Sequence, residues 1–174
     1  MLIRAETVQD FAAIRQVVTE AFGSPAEADL VERIRRSAQY RPALSLIAVD
    51  EEVVVGHVMI DGCVVRSAYG DRPIVMLSPL AVAPARQRRG IGTALIEAVV
   101  GAADAAGEPL VVLEGDPAYY GRRGFGFAGE HGISIDLPDW APPTAAQVRL
   151  LSGYDPHDPG LRGRVIYPPT FDGL

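Results

Sequence analysis

The chain is poor in cysteine. Cys63 stands alone among 174 residues, which excludes an intrachain disulfide or a cysteine-rich zinc site, and a cytoplasmic setting is expected. Inside the mostly apolar run 53–65, Cys63 reads as a small core residue rather than a catalytic thiol. Histidine is scarce too. His57, His131 and His157 show no paired spacing, so no metal is expected. The opening Met-Leu-Ile-Arg-Ala-Glu carries charge where a signal peptide needs its apolar stretch, and no apolar run approaches membrane-spanning length. A soluble protein with no membrane partner is expected.

A broad basic field is missing as well. Lys and Arg total 16 against 22 Asp and Glu, for a net charge of -6 and a pI near 5.0. That balance argues against a nucleic-acid surface and leaves the basic residues at Arg86 to Arg89 as local charge suited to an anionic ligand. A composition of 48% hydrophobic and 22% charged residues is that of a folded globular chain. The length supports one sizeable core, so a single domain over 1–174 is expected. No repeat or low-complexity block is present, and residues 153–163 read as the flexible segment.

Leu2 to Ala5 reads as a strand. Thr7 and Asp10 then supply a helix start ahead of Phe11, Ile14, Val17, Val18 and Phe22 at helical spacing, which predicts a helix from Val8 to Ala21. Gly23-Ser24-Pro25 breaks it, and Ala26 to Ser37 resumes an amphipathic pattern with Leu30, Val31 and Ile34 inward. From Leu44 the signal changes to β-branched, period-two runs. These predict antiparallel strands over 44–49, 53–65 and 74–82, with Gly56 marking a bulge or close backbone approach and 67–72 a polar loop. A helix from Gly90 to about Ala106 buries Ile91, Leu95, Ala98, Val99 and Ala102, and Gly107 ends it. Next come a strand over 109–113, a short helix capped by Asp116 and carrying Tyr119 and Tyr120, strands near 133–136 and over 146–151, and a loop-like tail.

The chain is organised around Leu80-Ala-Val-Ala-Pro-Ala-Arg-Gln-Arg-Arg-Gly-Ile-Gly-Thr-Ala-Leu95, where a strand breaks at Pro84 and a basic, glycine-bearing turn opens a helix. First-turn N–H groups have no partner inside a helix and carry partial positive charge, so main chain alone can hold an anion. Gly90 and Gly92 clear the approach, while Arg86, Arg88 and Arg89 add charge able to grip phosphate. A Walker loop is excluded because Gly92 is followed by Thr93 and Ala94 rather than Lys and Ser or Thr. The dinucleotide fingerprint fails at Leu95, which stands where its third glycine belongs, so a nicotinamide dinucleotide reading rests on two glycines only.

Gln87-Arg88-Arg89-Gly90-Ile91-Gly92 fits the Q/R-x-x-G-x-G/A pattern of the GNAT N-acetyltransferase superfamily and resembles its acetyl-CoA pyrophosphate loop. A second motif agrees. Tyr120-Gly-Arg-Arg-Gly-Phe125 is similar to the family's tyrosine followed by Gly-Phe, and Val165-Ile-Tyr-Pro-Pro-Thr-Phe171 resembles the tail of the YhbS-like subgroup of bacterial acetyltransferases. The resemblance implies an α/β (α+β) fold, with a mixed, largely antiparallel sheet flanked by helices and splayed at the fourth and fifth strands.

It further implies acetyl transfer from acetyl-CoA, the co-substrate, to a primary amine by direct attack. The main chain of Leu80, Ala81 and Val82 would hold the pantetheine arm, with the Leu80 N–H polarising the thioester carbonyl. Gln87 and the amides of Arg88, Arg89, Gly90, Ile91, Gly92 and Thr93 would form the pyrophosphate loop. Tyr120 would protonate the leaving thiolate. The general base is open between Glu114, at the end of the strand before Gly115, Glu27, at the start of the second helix, His57, and a water chain. With no obvious base, a non-catalytic acyl-CoA-binding or sensing module is the alternative. The acceptor is expected to be a small-molecule or peptide amine, and exposed strand edges in the C-terminal half are compatible with a homodimer.

Overall fold

Strand β1 (Leu2–Ala5) pairs antiparallel with β2 (Ser45–Asp50), Leu2 facing Val49 and Ala5 facing Leu46. The computed structural model describes all 174 residues and falls into two units. The first holds Met1–Asp61, Leu77–Ala102 and Pro169–Leu174; the second holds Gly62–Met76 and Ala103–Pro168. Strands β3 (Val53–Ser67) and β4 (Gly70–Val82) and helix α3 (Ile91–Ala105) each contribute residues to both.

In the first unit β2 runs into β3 through Glu51 and Glu52, both left-handed at φ 49° and 65°, as a tight hairpin between right-twisted strands requires. Gly56 fulfils both readings of its sequence signal. Ala48 pairs with Gly56 but Val49 with Val54, so Val55 is an extra residue in β3. A Cβ on Gly56 would also lie 2.8 Å from Leu95 Cδ1 and 3.2 Å from both Ile91 Cγ2 and the Ala81 carbonyl oxygen. Its absence lets α3 rest directly on the strand.

Helix α1 (Phe11–Phe22) follows a single 3-10 turn over Val8–Asp10, in which the Asp10 carboxylate accepts from the Thr7 N–H (2.7 Å) and hydroxyl (2.9 Å). Gly23, at φ 68°, closes it, and α2 (Ala26–Arg35) follows two residues shorter than expected. Ile14, Val17 and Val18 of α1 and Ala28 of α2 pack on Ile47 and Ala81, while Leu30, Val31 and Ile34 pack on Met59. Burial of such side chains is worth about 1.5–3 kcal/mol each, which explains why marginal helices of this length form here.

In the second unit β4 lies parallel to β5 (Leu110–Glu114) at Val75–Val111 and Met76–Val112 only. The pairing then stops, so β4 continues from Leu77 to Val82 with no β5 partner. β5 is antiparallel to β8 (Ala146–Leu150), and β8 to β6 (Gly126–Phe127). Helix α4 (Pro117–Gly121) follows β5, with Asp116 capping the Ala118 N–H at 2.9 Å.

Several boundaries differ from the sequence reading. The polar loop over 67–72 is largely strand, because β3 and β4 run on to a hairpin turn at Ala68 and Tyr69. The expected strand over 133–136 shrinks to β7 (Ile133–Ser134). The tail contains a ninth strand, β9 (Gly163–Ile166), antiparallel to β3 at Val64–Ile166 and parallel to β7. On α3, Ala98 and Ala102 are only half-buried, and Ile96, Val100 and Ala103 take the buried places instead.

Candidate active site

The first unit carries the predicted anion loop. Beyond β4, the Ala83 N–H donates to the Val55 carbonyl at 2.9 Å, fixing the strand end, and Pro84–Arg86 form a 3-10 turn. Arg88 (φ 61°) and Gly90 (φ 81°) are then both left-handed, which turns the chain sharply into α3. The first backbone bond of that helix runs from the Ala94 N–H to the Gly90 carbonyl at 3.0 Å. The N–H groups of its first turn therefore precede the hydrogen-bond ladder, at the positive end of a 15-residue helix. Arg88, Arg89 and Gly90 are exposed, Ile91 and Gly92 buried, and Thr93 half-buried. The loop fits a diphosphate held by main chain.

Two side chains of the loop also make contacts within the protein. Arg86 does not offer its charge freely, since its Nη1 lies 2.6 Å from Asp50 Oδ2. Gln87 Nε2 donates to the Val82 carbonyl at 3.1 Å, bracing the strand end. Of the strand residues named for the pantetheine arm, Ala81 is buried and Leu80 and Val82 are half-buried.

Glu27 lies in the first turn of α2, half-buried, with its Oε2 buried and lacking a hydrogen-bond partner. His57 is structural. It is fully buried, with Nε2 3.1 Å from Ser45 Oγ and 3.2 Å from Glu6 Oε2. Burial lowers its pKa against the pull of Glu6, so it is neutral. Glu6 itself also accepts from Arg35 at 2.9 and 2.7 Å and from the Tyr40 hydroxyl at 2.7 Å. Burial alone would raise the Glu6 pKa, but the hydrogen bonds from His57, Arg35 and Tyr40 hold it well below the usual carboxylate range. Asp61 escaped the sequence reading. It is fully buried, neither carboxyl oxygen has a hydrogen-bond partner, and burial pushes its pKa from 3.8 up to about 8, with Arg41 opposing.

The second unit holds Tyr120 and Glu114. Gly115 is pinned on both sides, its N–H donating to the Ala145 carbonyl and its carbonyl accepting from Gln147 Nε2, each at 3.0 Å. The Tyr120 ring lies on this glycine and meets Phe125 edge-on, with centroids 5.7 Å apart. Burial pushes the Tyr120 phenol up to about 12, with Tyr119 adding to the rise and Arg123 opposing it. The hydroxyl is therefore a neutral donor at pH 7. Tyr119 packs beneath Arg123, whose guanidinium carbon is 3.5 Å from the ring centroid.

Glu114 is exposed at the end of β5, and its Oε2 accepts from the Tyr167 hydroxyl. Burial and the Glu114 carboxylate both raise the Tyr167 pKa, with Cys63 and Asp136 adding to it. Tyr167 was not singled out by the sequence, although it lies in the tail motif Val165–Phe171. Glu114 also lines a cleft of about 420 Å³ with Asp116, Leu137, Pro138, Trp140 and Pro142.

A model of the acetyltransferase (GNAT) domain matches residues 2–128. The chain belongs to the GNAT acetyltransferase family. The uncharacterised N-acetyltransferase YjhQ of Escherichia coli K12 is 36% identical over 130 residues, 74% of this chain and 72% of YjhQ. The uncharacterised N-acetyltransferase YhbS of the same strain is 32% identical over 173 residues, 99% of each chain. The crystal structure of E. coli YhbS in complex with CoA superposes with a TM-score of 0.83 at 30% identity, covering 98% of this chain and 91% of that one. A Brucella melitensis GNAT acetyltransferase in complex with acetyl-CoA gives a TM-score of 0.76 at 29% identity, with 98% and 97% covered. GNAT enzymes are acyltransferases that use acetyl-CoA as co-substrate, and the mixed, mostly antiparallel sheet with its parallel β4–β5 pair is the fold of this family. No helix of the chain is long and apolar enough to cross a membrane.

Proposed function

We propose that this GNAT protein binds acetyl-CoA and transfers its acetyl group to a primary amine by direct attack. The observation that carries the reading is the exposed loop at Arg88–Gly90, whose two left-handed residues lead into the amino end of α3. The amides from Arg88 to Thr93 hold the pyrophosphate, with Arg89 nearby to neutralise charge. The main chain of Leu80, Ala81 and Val82 lies beside the pantetheine, and the Leu80 N–H polarises the thioester carbonyl. The two relatives crystallised with CoA and acetyl-CoA support this ligand.

In the transfer a C–N bond forms, the C–S bond breaks, the amine gives up a proton and the departing thiolate gains one. Glu114 accepts the amine's proton, directly or through water, and Tyr120 donates to the thiolate. Glu27, whose buried Oε2 lacks a partner, is the second carboxylate proposed to face the acceptor. Residues 1–174 act together as one functional domain on this reading, despite falling into two units.

The test is release of free CoA thiol with acetyl-CoA and a panel of primary amines, alongside mass spectrometry of the product. Tyr120→Phe should lower kcat by about 100-fold or more with little change in acetyl-CoA affinity. Unchanged turnover in that variant would remove Tyr120 from the mechanism. The chain contains no lysine, all 16 basic residues being arginine, so an acetyl-lysine signal in a peptide assay comes from the acceptor alone.

A further inference from the structure

The cleft beside Glu114 has features that neither the acetyl-CoA loop nor Tyr120 uses. Its walls are apolar and stiff, built from Leu137, Pro138, Trp140 and Pro142, while its charged lining residues are Glu114 and Asp116. No cationic side chain lines it. A volume of about 420 Å³ falls within the roughly 300–1,000 Å³ typical of small-molecule sites. Trp140 borders the cleft and is 85% exposed, so its indole face is accessible as an apolar, electron-rich surface at the cleft's edge.

The two carboxylates are not equivalent. Asp116 Oδ1 caps the Ala118 N–H at 2.9 Å and so holds the start of α4. Glu114 is anchored through Oε2 by the Tyr167 hydroxyl, which fixes the carboxylate and leaves Oε1 to meet a cation. A fixed carboxylate beside an apolar, tryptophan-bordered cleft is complementary to an ammonium group joined to a flat apolar body. A polyamine's second ammonium would find only Asp116, whose Oδ1 already accepts from the Ala118 N–H, and away from it would meet Leu137 and the prolines, where burying an unpaired ammonium is expensive.

We propose that this cleft is the acceptor subsite and that it takes an arylalkylamine, its ammonium on Glu114 and its aromatic body between Trp140 and the Leu137–Pro138 wall. Tyr167 is a positioning residue that holds Glu114 for it. The assignment of the cleft as an acceptor site rests on the acetyl-transfer reading; its ligand preference does not.

Trp140 is the only tryptophan, so its fluorescence, excited where phenethylamine is transparent, reports the cleft directly. Phenethylamine should give a saturable change in Trp140 emission without acetyl-CoA, and putrescine none. Ala141→Phe, placed in the half-buried lining position next to Trp140, should weaken phenethylamine binding by about tenfold or more and leave acetyl-CoA binding unchanged. In turnover, kcat/KM for phenethylamine should exceed that for putrescine by about tenfold or more. Tyr167→Phe should raise KM for phenethylamine and shift the acid limb of its pH profile, effects that simple loosening of the fold would not produce.

A saturable Trp140 response without turnover would uphold the cleft's ligand and overturn acetyl transfer. Turnover of phenethylamine with no Trp140 response and no effect of Ala141→Phe would overturn the cleft while sparing acetyl transfer. Preference for putrescine in both assays would also overturn the cleft.

Discussion

The Tyr120 ring rests on Gly115 so closely that a Cβ at Gly115 would lie 2.5 Å from Tyr120 Cε2 and 2.7 Å from Cδ2. No real Cβ is tolerated at that distance, and the backbone of Gly115 cannot retreat because both its N–H and its carbonyl are tied to the β8 side through Ala145 and Gln147. The ring must move instead. Gly115→Ala should therefore displace the phenol and lower kcat by about 10- to 100-fold, with a small loss of thermal stability. Steady-state kinetics beside a melting curve checks this. A variant with normal kcat would show that the Tyr120 position is not critical.

Gly56 makes a comparable prediction in the first unit. The Cβ of Gly56→Ala would meet Leu95 Cδ1 at 2.8 Å and Ile91 Cγ2 at 3.2 Å, pushing on the first turns of α3 and hence on the loop they support. Overpacking of this kind costs about 1–3 kcal/mol. The expected outcome is a lower denaturation midpoint together with weaker acetyl-CoA binding, measured by denaturant titration and calorimetry. Lost stability with full affinity would uncouple Gly56 from the loop.

Stability should respond to pH in two opposite directions. Asp61 is held protonated, its pKa raised from 3.8 to about 8, so the folded state binds more protons than the unfolded chain between those values. This contribution is complete below about pH 4 and is lost as pH rises through 8. His57 and Glu6 act the other way. Both have lowered pKa values in the fold, so their contribution is present near neutrality and is lost on acidification, first below about 6.5 as unfolded histidine charges, then below about 4.5. Asp61→Asn, which keeps the shape and cannot ionise, should exceed the wild type in stability near pH 9 by more than it does near pH 5. Parallel stability curves across that range would contradict the neutral Asp61.

The loop and α3 were legible because short-range chemistry dictates them. Glycines allow the turn, a proline ends the strand, and Ile91, Leu95 and Val99 repeat at helical spacing on a buried face. The parts that were missed depend on partners far along the chain. Strand β9 is four residues, of which only Val165 is buried, so its pattern is too short to read. It exists because β3 extends far enough to offer Val64–Arg66 as an edge. Tyr167 reaches Glu114 from 53 residues away, and no local pattern encodes that contact. Asp61 sits in a run that reads as strand, yet only the fold reveals that its carboxyl lacks partners. Arg86 looked like a phosphate ligand by position, and its ion pair with Asp50 depends on where β2 ends.

The most direct test of acetyl-CoA recognition by the Arg88–Thr93 loop is calorimetric titration of the wild type and of Gly90→Val with acetyl-CoA, with NADH as a separate ligand. Gly90 has φ 81°, where a β-branched side chain costs roughly 1–2 kcal/mol and tilts the loop away from its anion-holding shape. The wild type should bind acetyl-CoA with a Kd on the order of micromolar and the variant about tenfold more weakly, with no heat from NADH. Absence of acetyl-CoA binding by the wild type, or equal affinity in the variant, would contradict the role given to this loop.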